Sequence, residues 1–275
     1  MTYLSRIRIN PLRTESRRLL ANPRAMHGAV MGGIPGAPAD ERVLWRLDAD
    51  NPHRPHLFAL TRSKPDWTHV VERAGWPDAD GEHAAVRDYA PLLGQIAGGR
   101  EFAFRLTANP VQNTQTPRTP TPAQTERIEA NTDQKRVRGF RLGHRTAAAQ
   151  LHWFLSRTER WGFDIPASRT DAAAPGIDHP APVPDRPRPE DTPVPGEAPW
   201  NPHPLREVRI TDRQRHSFKK NGAGSSVTFH SATFEGRLVI TDPAAFTARL
   251  LDGIGPSKAY GCGLLTLAPL TGREG

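Results

Sequence analysis

The segment Gly253-Ile-Gly-Pro-Ser-Lys-Ala-Tyr-Gly-Cys-Gly263 sets two glycine–apolar–glycine steps on either side of Lys258. Glycines accept positive φ and let backbone N–H groups come close to an anion, so Gly255, Gly261 and Gly263 with Lys258 suit a phosphodiester backbone. The spacing departs from a Walker A loop, which places Ser or Thr directly after the lysine. It serves equally well as a sharp helix-to-strand turn whose glycines allow close packing. Two basic runs accompany the loop. Lys135, Arg136, Arg138, Arg141 and Arg145 fall within eleven residues that hold no acid. Arg206, Arg209, Arg213, Arg215, Lys219 and Lys220 fall within fifteen residues that hold only Glu207 and Asp212. The second run ends in Asn221-Gly222, a hairpin signal, so a ribbon with one positive face is expected, able to enter a groove or follow a nucleic-acid backbone. A solvated surface hairpin has the same composition.

Of the 11 histidines, His27 is the one whose setting suggests chemistry. Asn22-Pro23 supplies an N-cap and a first helical residue, which start a short helix carrying Met26, His27 and Val30. His27 then sits between the buried and exposed faces, close to Arg17, Arg18 and Arg24. A histidine titrating near neutral pH beside cations can move protons in RNA cleavage, and an ordinary boundary histidine fits the same position. His53, His56 and His152 lack the i, i+4 spacing or adjacent acid of a zinc site, and Cys262 is the single cysteine. No metal, disulfide or other cofactor is assigned.

The elements that position these residues follow a repeated pattern. Residues 3–9 alternate as a strand, and Thr14 is placed to cap a helix through residue 21. Residues 42–48 and 56–61 are strands, 66–74 a helix, and 101–107 a last strand alternating Phe102, Phe104 and Leu106. This is the order of a ferredoxin-like unit, shared with RNA-recognition domains. Residues 109–125 are a Thr/Pro/Gln stretch expected as linker or loop. The pattern then recurs: a basic strand at 135–142, a helix at 147–161, two strands in 226–241 broken at Glu235-Gly236, a helix at 243–251 and a strand at 264–267. The fold class expected is α+β, two tandem ferredoxin-like domains over residues 1–112 and 135–270, joined by 113–134.

Residues 166–204 interrupt the second unit with 12 prolines, six acids and three arginines, a composition expected to be disordered. With a formal charge of +8 on the whole chain, six acids against three arginines in that insertion leave +11 elsewhere. Of 37 basic residues, 32 are arginine, whose planar fork binds phosphate and stacks on bases. The balance points to nucleic acid. The first residues lack the apolar run of a signal peptide and no stretch is long and apolar enough for a membrane span, so a cytoplasmic location without membrane contact is expected.

Six segments carry a family resemblance: residues 3–11 (YLSRIRINP), 20–27 (LANPRAMH), 44–48 (LWRLD), 104–110 (FRLTANP), 233–243 (TFEGRLVITDP) and 253–269 (GIGPSKAYGCGLLTLAP). Together they resemble the CasE-type CRISPR repeat endoribonucleases of type I-E Cascade systems. The resemblance implies binding of the hairpin in a CRISPR repeat transcript and one metal-independent cut at the base of its stem. It also implies retention of the product within Cascade, alongside its other subunits. His27 would be the catalytic histidine. Arg24 stands where some members carry tyrosine; a guanidinium stays protonated, so its expected role is electrostatic. Arg17, Arg18, Arg138, Arg141, Arg209, Arg213, Arg215, Lys219 and Lys220, with the glycine loop, are the expected RNA contacts. The alternative is a non-catalytic RNA-binding subunit of the same superfamily. The insertion departs from shorter members and is expected to loop away from the RNA.

Overall fold

The computed structural model describes residues 1–36, 41–79, 81–114, 120, 122–129, 139–168, 206–219 and 226–270. The expected insertion, apart from residues 166–168, lies outside them, as do Lys135, Arg136, Arg138 and Lys220.

Strands β1 (Tyr3–Arg8), β2 (Leu44–Asp48), β3 (His56–Thr61) and β4 (Ala84–Asp88) form one antiparallel sheet in the order β2-β3-β1-β4. Helices α1 (Thr14–Ala21) and α2 (Pro23–Met31) follow β1, and α3 (Thr68–Ala74) follows β3, which completes a ferredoxin-like arrangement. Thr14 is the first helical residue rather than the cap, and Arg13 in front of it makes no side-chain cap bond.

The closing strand of this unit is β4, which corrects the expectation for residues 101–107. That segment, β5 (Glu101–Ala108), follows the short helix α4 (Ala90–Leu93) and opens a second sheet. Beyond it, β6 (Val111–Thr114) and α5 (Pro122–Glu129) lie in or beside the expected linker, and β7 (Phe140–Gly143) follows it. The described part of the basic strand, β7, pairs with β6 instead of joining the main sheet.

The second sheet runs β11-β5-β10-β8, with β9 also paired to β10; its strands are β8 (Phe163–Asp164), β9 (Val208–Lys219), β10 (Ser226–Ile240) and β11 (Leu265–Ala268). Helices α6 (Ala147–Leu155) and α7 (Pro243–Asp252) complete the second ferredoxin-like unit. Strand β10 passes through Gly236 without the expected break. A Cβ there would collide with the Glu207 carbonyl, so the glycine serves a close backbone approach.

Each sheet buries one face under its helices. Ile7, Leu19, Met26, Val30, Trp45 and Leu57 fill the first core. Phe104, Phe154, Phe163, Phe234 and Phe246 dominate the second, where Phe154 stacks on Phe234 at 4.6 Å between centroids. Leu4, Leu44, Phe58 and Leu60, from the other face of the first sheet, pack into the second core and join the two units. Arg46 reinforces that joint. Its side chain is buried, donates to Asp48 at 2.6 and 2.9 Å, and reaches the carbonyls of Arg105 (2.9 Å) and Leu264 (3.1 Å) and the hydroxyl of Thr266 (2.9 Å). Among the described residues, no helix is long and apolar enough to cross a membrane.

Candidate active site

Helix α2 begins as its sequence dictates. The Asn22 side chain accepts hydrogen bonds from the N–H groups of Arg24 (3.0 Å) and Ala25 (3.4 Å), and Pro23 occupies the first turn, where a missing N–H costs nothing. Met26 and Val30 then point into the first core. His27, one position on from Met26, is half-buried at the core's edge. Burial lowers its pKa, because a partly desolvated ring resists carrying charge. Its Nδ1 is buried without a hydrogen-bond partner among the described residues. The next residue, Gly28, is exposed, and a Cβ there would meet nothing within 4 Å.

Arg24 lies three residues before His27, on the same helical face, and is exposed. Arg17 and Arg18 are exposed on α1, which packs against α2. Arg18 is already engaged, donating to Glu15 at 2.6 and 2.9 Å and holding that carboxyl below its ordinary range.

The glycine loop brings the far end of the chain to this helix. Its short 3-10 turn, Lys258–Tyr260, lies against both α2 and β2. Gly253, Gly255, Gly261 and Gly263 all have positive φ, and so does Ser257, whose hydroxyl accepts from the Asn109 side chain at 2.7 Å. A Cβ on Gly261 would stand 2.8 Å from the Trp45 ring, and one on Gly253 would stand 2.7 Å from Leu44. Packing therefore accounts for these two glycines. A Cβ on Gly255 would meet only the Trp153 ring, at 3.4 Å. Lys258 is half-buried, and its pKa is lowered first by burial and then by Arg42, against the opposing pull of Asp252.

The expected basic hairpin is present as β9 and β10, paired from Lys219↔Ser226 down to Val208↔Gly236. Strand β5 accompanies β10 only from Val239 to Ala232, so the remainder extends past the sheet as a two-stranded ribbon. Arg213 and Arg215 stand opposite Ala232 and His230 on one ribbon face, with Lys219 in the same alternation. A bulge at Thr211 reverses that alternation, so Arg209 faces the other way, opposite Glu235, with which it pairs at 3.2 Å. The expected single positive face thus excludes Arg209. Arg213 donates to Gln150 at 2.8 Å and to the Arg145 carbonyl, which draws the two basic runs together. Arg145, Arg215 and Arg213 crowd His230 and, after burial, lower its pKa. Arg141 is exposed on β7.

A cleft of about 680 Å³ lies on the second sheet between Ala103, Arg105, Glu207, Gly236, Arg237 and Leu267, away from α2 and the glycine loop. Its arginines are already paired, Arg105 with Asp50 and Glu235, Arg237 with Glu101 and Glu207. No group of three or more His, Cys, Asp or Glu among the described residues is placed to hold a metal ion. Cys262 is fully buried and its thiol is pushed up to about 12.

Composition alone does not reveal one further feature of the site, an aromatic group. His216 and Phe218 on β9, Phe229 on β10 and Tyr260 of the glycine loop pack together. The two-residue spacing of His216 and Phe218, on the face opposite Arg213 and Arg215, was its signal.

A family model described as CRISPR associated protein matches residues 2–269. The CRISPR-associated endoribonuclease Cse3 of Thermus thermophilus is 28% identical over 273 residues, covering 97% of this chain and all of that protein. The Cascade subunit CasE of Escherichia coli is 48% identical over 50 residues, 18% of this chain and 25% of that one. Among solved structures, CRISPR endoribonuclease Cse3 bound to a 19 nt RNA superposes with a TM-score of 0.64 at 25% identity, covering 98% of this chain and 99% of that one. A chain of a CRISPR RNA-guided surveillance complex in a pre-nicking state shares the fold at 17% identity and a TM-score of 0.55, covering 98% of this chain and 100% of that one. The chain belongs to the CRISPR associated protein family.

Proposed function

We propose that the protein binds the hairpin of a CRISPR repeat transcript and cuts the precursor once at the base of the stem. The ribose 2′-OH attacks the adjacent phosphate without help from a metal ion. The new 2′-O–P bond closes a 2′,3′-cyclic phosphate as the P–O5′ bond breaks, and the leaving oxygen takes a proton from solvent water to become a 5′-OH. His27, neutral because it is partly buried, accepts the proton of the 2′-OH. Arg24, on the same face of α2, and Lys258, on the turn against α2, supply positive charge for the phosphorane. Arg215, Lys219 and Arg141 hold phosphates of the stem, so recognition rests on shape and charge more than on base edges.

The observation that carries this reading is the packing of the His27 helix against the Lys258 turn. It brings the helix that carries His27 and Arg24 against the turn that carries Lys258, from opposite ends of the chain. The activity named for the Thermus relative and the RNA bound in its structure support the substrate class. The name of the Escherichia coli relative supports a place for the protein among the subunits of Cascade.

The mechanism is tested by a repeat RNA with a single 2′-deoxy nucleotide on the 5′ side of the scissile phosphate. It should bind as the all-ribose RNA does and remain uncut; cutting of the deoxy substrate would exclude 2′-OH attack.

The pH dependence has a definite sign. Burial disfavours the imidazolium, so the base form of His27 in the free protein persists to a lower pH than in an ordinary histidine. The profile of kcat/KM reports the free enzyme. It should rise with pH and level off with a midpoint below the usual histidine value of about 6.5. In the RNA-bound state neighbouring phosphates favour the cation, so the corresponding kcat midpoint lies higher. A kcat/KM midpoint above the usual value would show that another group sets the rate.

A further inference from the structure

The ribbon has a mechanical problem. Residues 214–219 of β9 and 226–231 of β10 pair only with each other, and a two-stranded ribbon alone is marginally stable in water. If this ribbon grips an RNA stem, its position fixes where the stem base falls relative to His27, so something must hold it. Two contacts do. On the arginine face, Arg213 is tied to Gln150 and to the Arg145 carbonyl. On the opposite face the tie is aromatic: His216 stacks on Phe229 at 4.5 Å, Phe229 stacks on Tyr260 at 5.7 Å, and Phe218 meets Tyr260 edge-on at 5.0 Å. His216 also bonds the Ser231 hydroxyl across the ribbon at 2.9 Å.

Tyr260 ends the turn that lies against α2, and the next residue, Gly261, is seated against the Trp45 ring of the first sheet. A continuous packed path therefore runs from the ribbon through Tyr260 to the helix carrying His27. The path is short and made of rigid rings with few rotatable bonds, which suits transmission of position rather than of charge.

We propose that Tyr260, with Phe218 and Phe229, is the positioning element that sets the cut site by fixing the RNA-gripping ribbon relative to His27. This rests on the nuclease reading given above. It gives Tyr260 no part in the proton transfers: its ring is what matters, and its hydroxyl is dispensable.

The test compares the full-length protein with Tyr260→Ala and Tyr260→Phe, using two readouts. In the free protein, amide hydrogen exchange of residues 214–219 and 227–231 should quicken by about tenfold or more in Tyr260→Ala, with the rest of the sheet unchanged. On repeat RNA, the same variant should bind the hairpin nearly as wild type does. Its single-turnover rate should fall by about ten- to a hundredfold, and its cuts should spread to neighbouring phosphates. Tyr260→Phe should restore both ribbon protection and the single cut. Phe218→Ala, altered at the outer end of the stack, should reproduce the loosening and the spread of cuts should Tyr260→Ala fail to fold.

Unchanged ribbon exchange in Tyr260→Ala would overturn the proposal. So would a loosened ribbon that still yields one cut at full rate, or a Tyr260→Phe variant as defective as the alanine one. A wild type that binds but never cuts would sink the nuclease reading alone; the exchange comparison then still supports or overturns the stack as the ribbon's anchor.

Discussion

His27→Ala should lower cleavage of repeat RNA by about a hundred- to ten-thousandfold, the usual worth of a positioned proton acceptor. Hairpin affinity should stay close to that of wild type. The separation follows from the geometry. His27 is half-buried on α2, whereas the exposed cations suited to holding phosphates lie on the ribbon and on β7. Alanine is a strong helix former and leaves Asn22, Pro23, Met26 and Val30 in place, so the helix itself should persist. Arg24→Gln should slow cutting by less and leave the shape of the pH profile unchanged, because a guanidinium does not titrate in the working range. Single-turnover cleavage alongside equilibrium binding of the same RNA measures both quantities. Equal losses in the two would make His27 a binding or structural residue.

The second large effect is on stability. Arg46→Ala should cost about 3 to 5 kcal/mol, because it empties a buried site, removes the donor to two carbonyls and a hydroxyl, and leaves the half-buried Asp48 with only the more distant Arg105, at 3.5 Å. That is a substantial part of the total stability of an ordinary domain, roughly 5 to 15 kcal/mol. Arg46→Lys should recover little, since one ammonium cannot reproduce the planar fork that spans Asp48, the Arg105 and Leu264 carbonyls and Thr266. Urea unfolding midpoints of the three proteins give the comparison. A loss below about 1 kcal/mol, the level of an exposed pair, would mean that the apolar joint of Leu4, Leu44, Phe58 and Leu60 suffices to hold the two units together.

Much of this architecture is legible in the sequence. Asn22-Pro23 announced α2 and placed His27 at its boundary, and the alternation around Asn221-Gly222 announced the β9–β10 hairpin. What alternation cannot reveal is the partner of a strand. Glu101–Ala108 alternates faultlessly, yet its neighbours are β11 and β10, supplied by the far end of the chain, while the true closing strand of the first unit, Ala84–Asp88, is short and weakly patterned. The bulge at Thr211 was invisible for a related reason. It exists only as a mismatch between two strands, and through it Arg209 turns away from Arg213 and Arg215. Gly236 looked like a strand break because its actual cause, the approach of the Glu207 carbonyl, comes from outside the strand. In the candidate site each residue type could be picked out singly. Their meeting could not, since it depends on the Lys258 turn packing against α2.

The most direct test is to incubate the wild-type protein and His27→Ala, side by side, with the CRISPR repeat RNA of its own host in EDTA and to map the product ends. A single EDTA-resistant cut at the base of the stem, ending in a 2′,3′-cyclic phosphate and lost in the variant, is the predicted result. Tight hairpin binding by the wild type with no cut would contradict it, making the protein an RNA-holding subunit and His27 an ordinary boundary histidine.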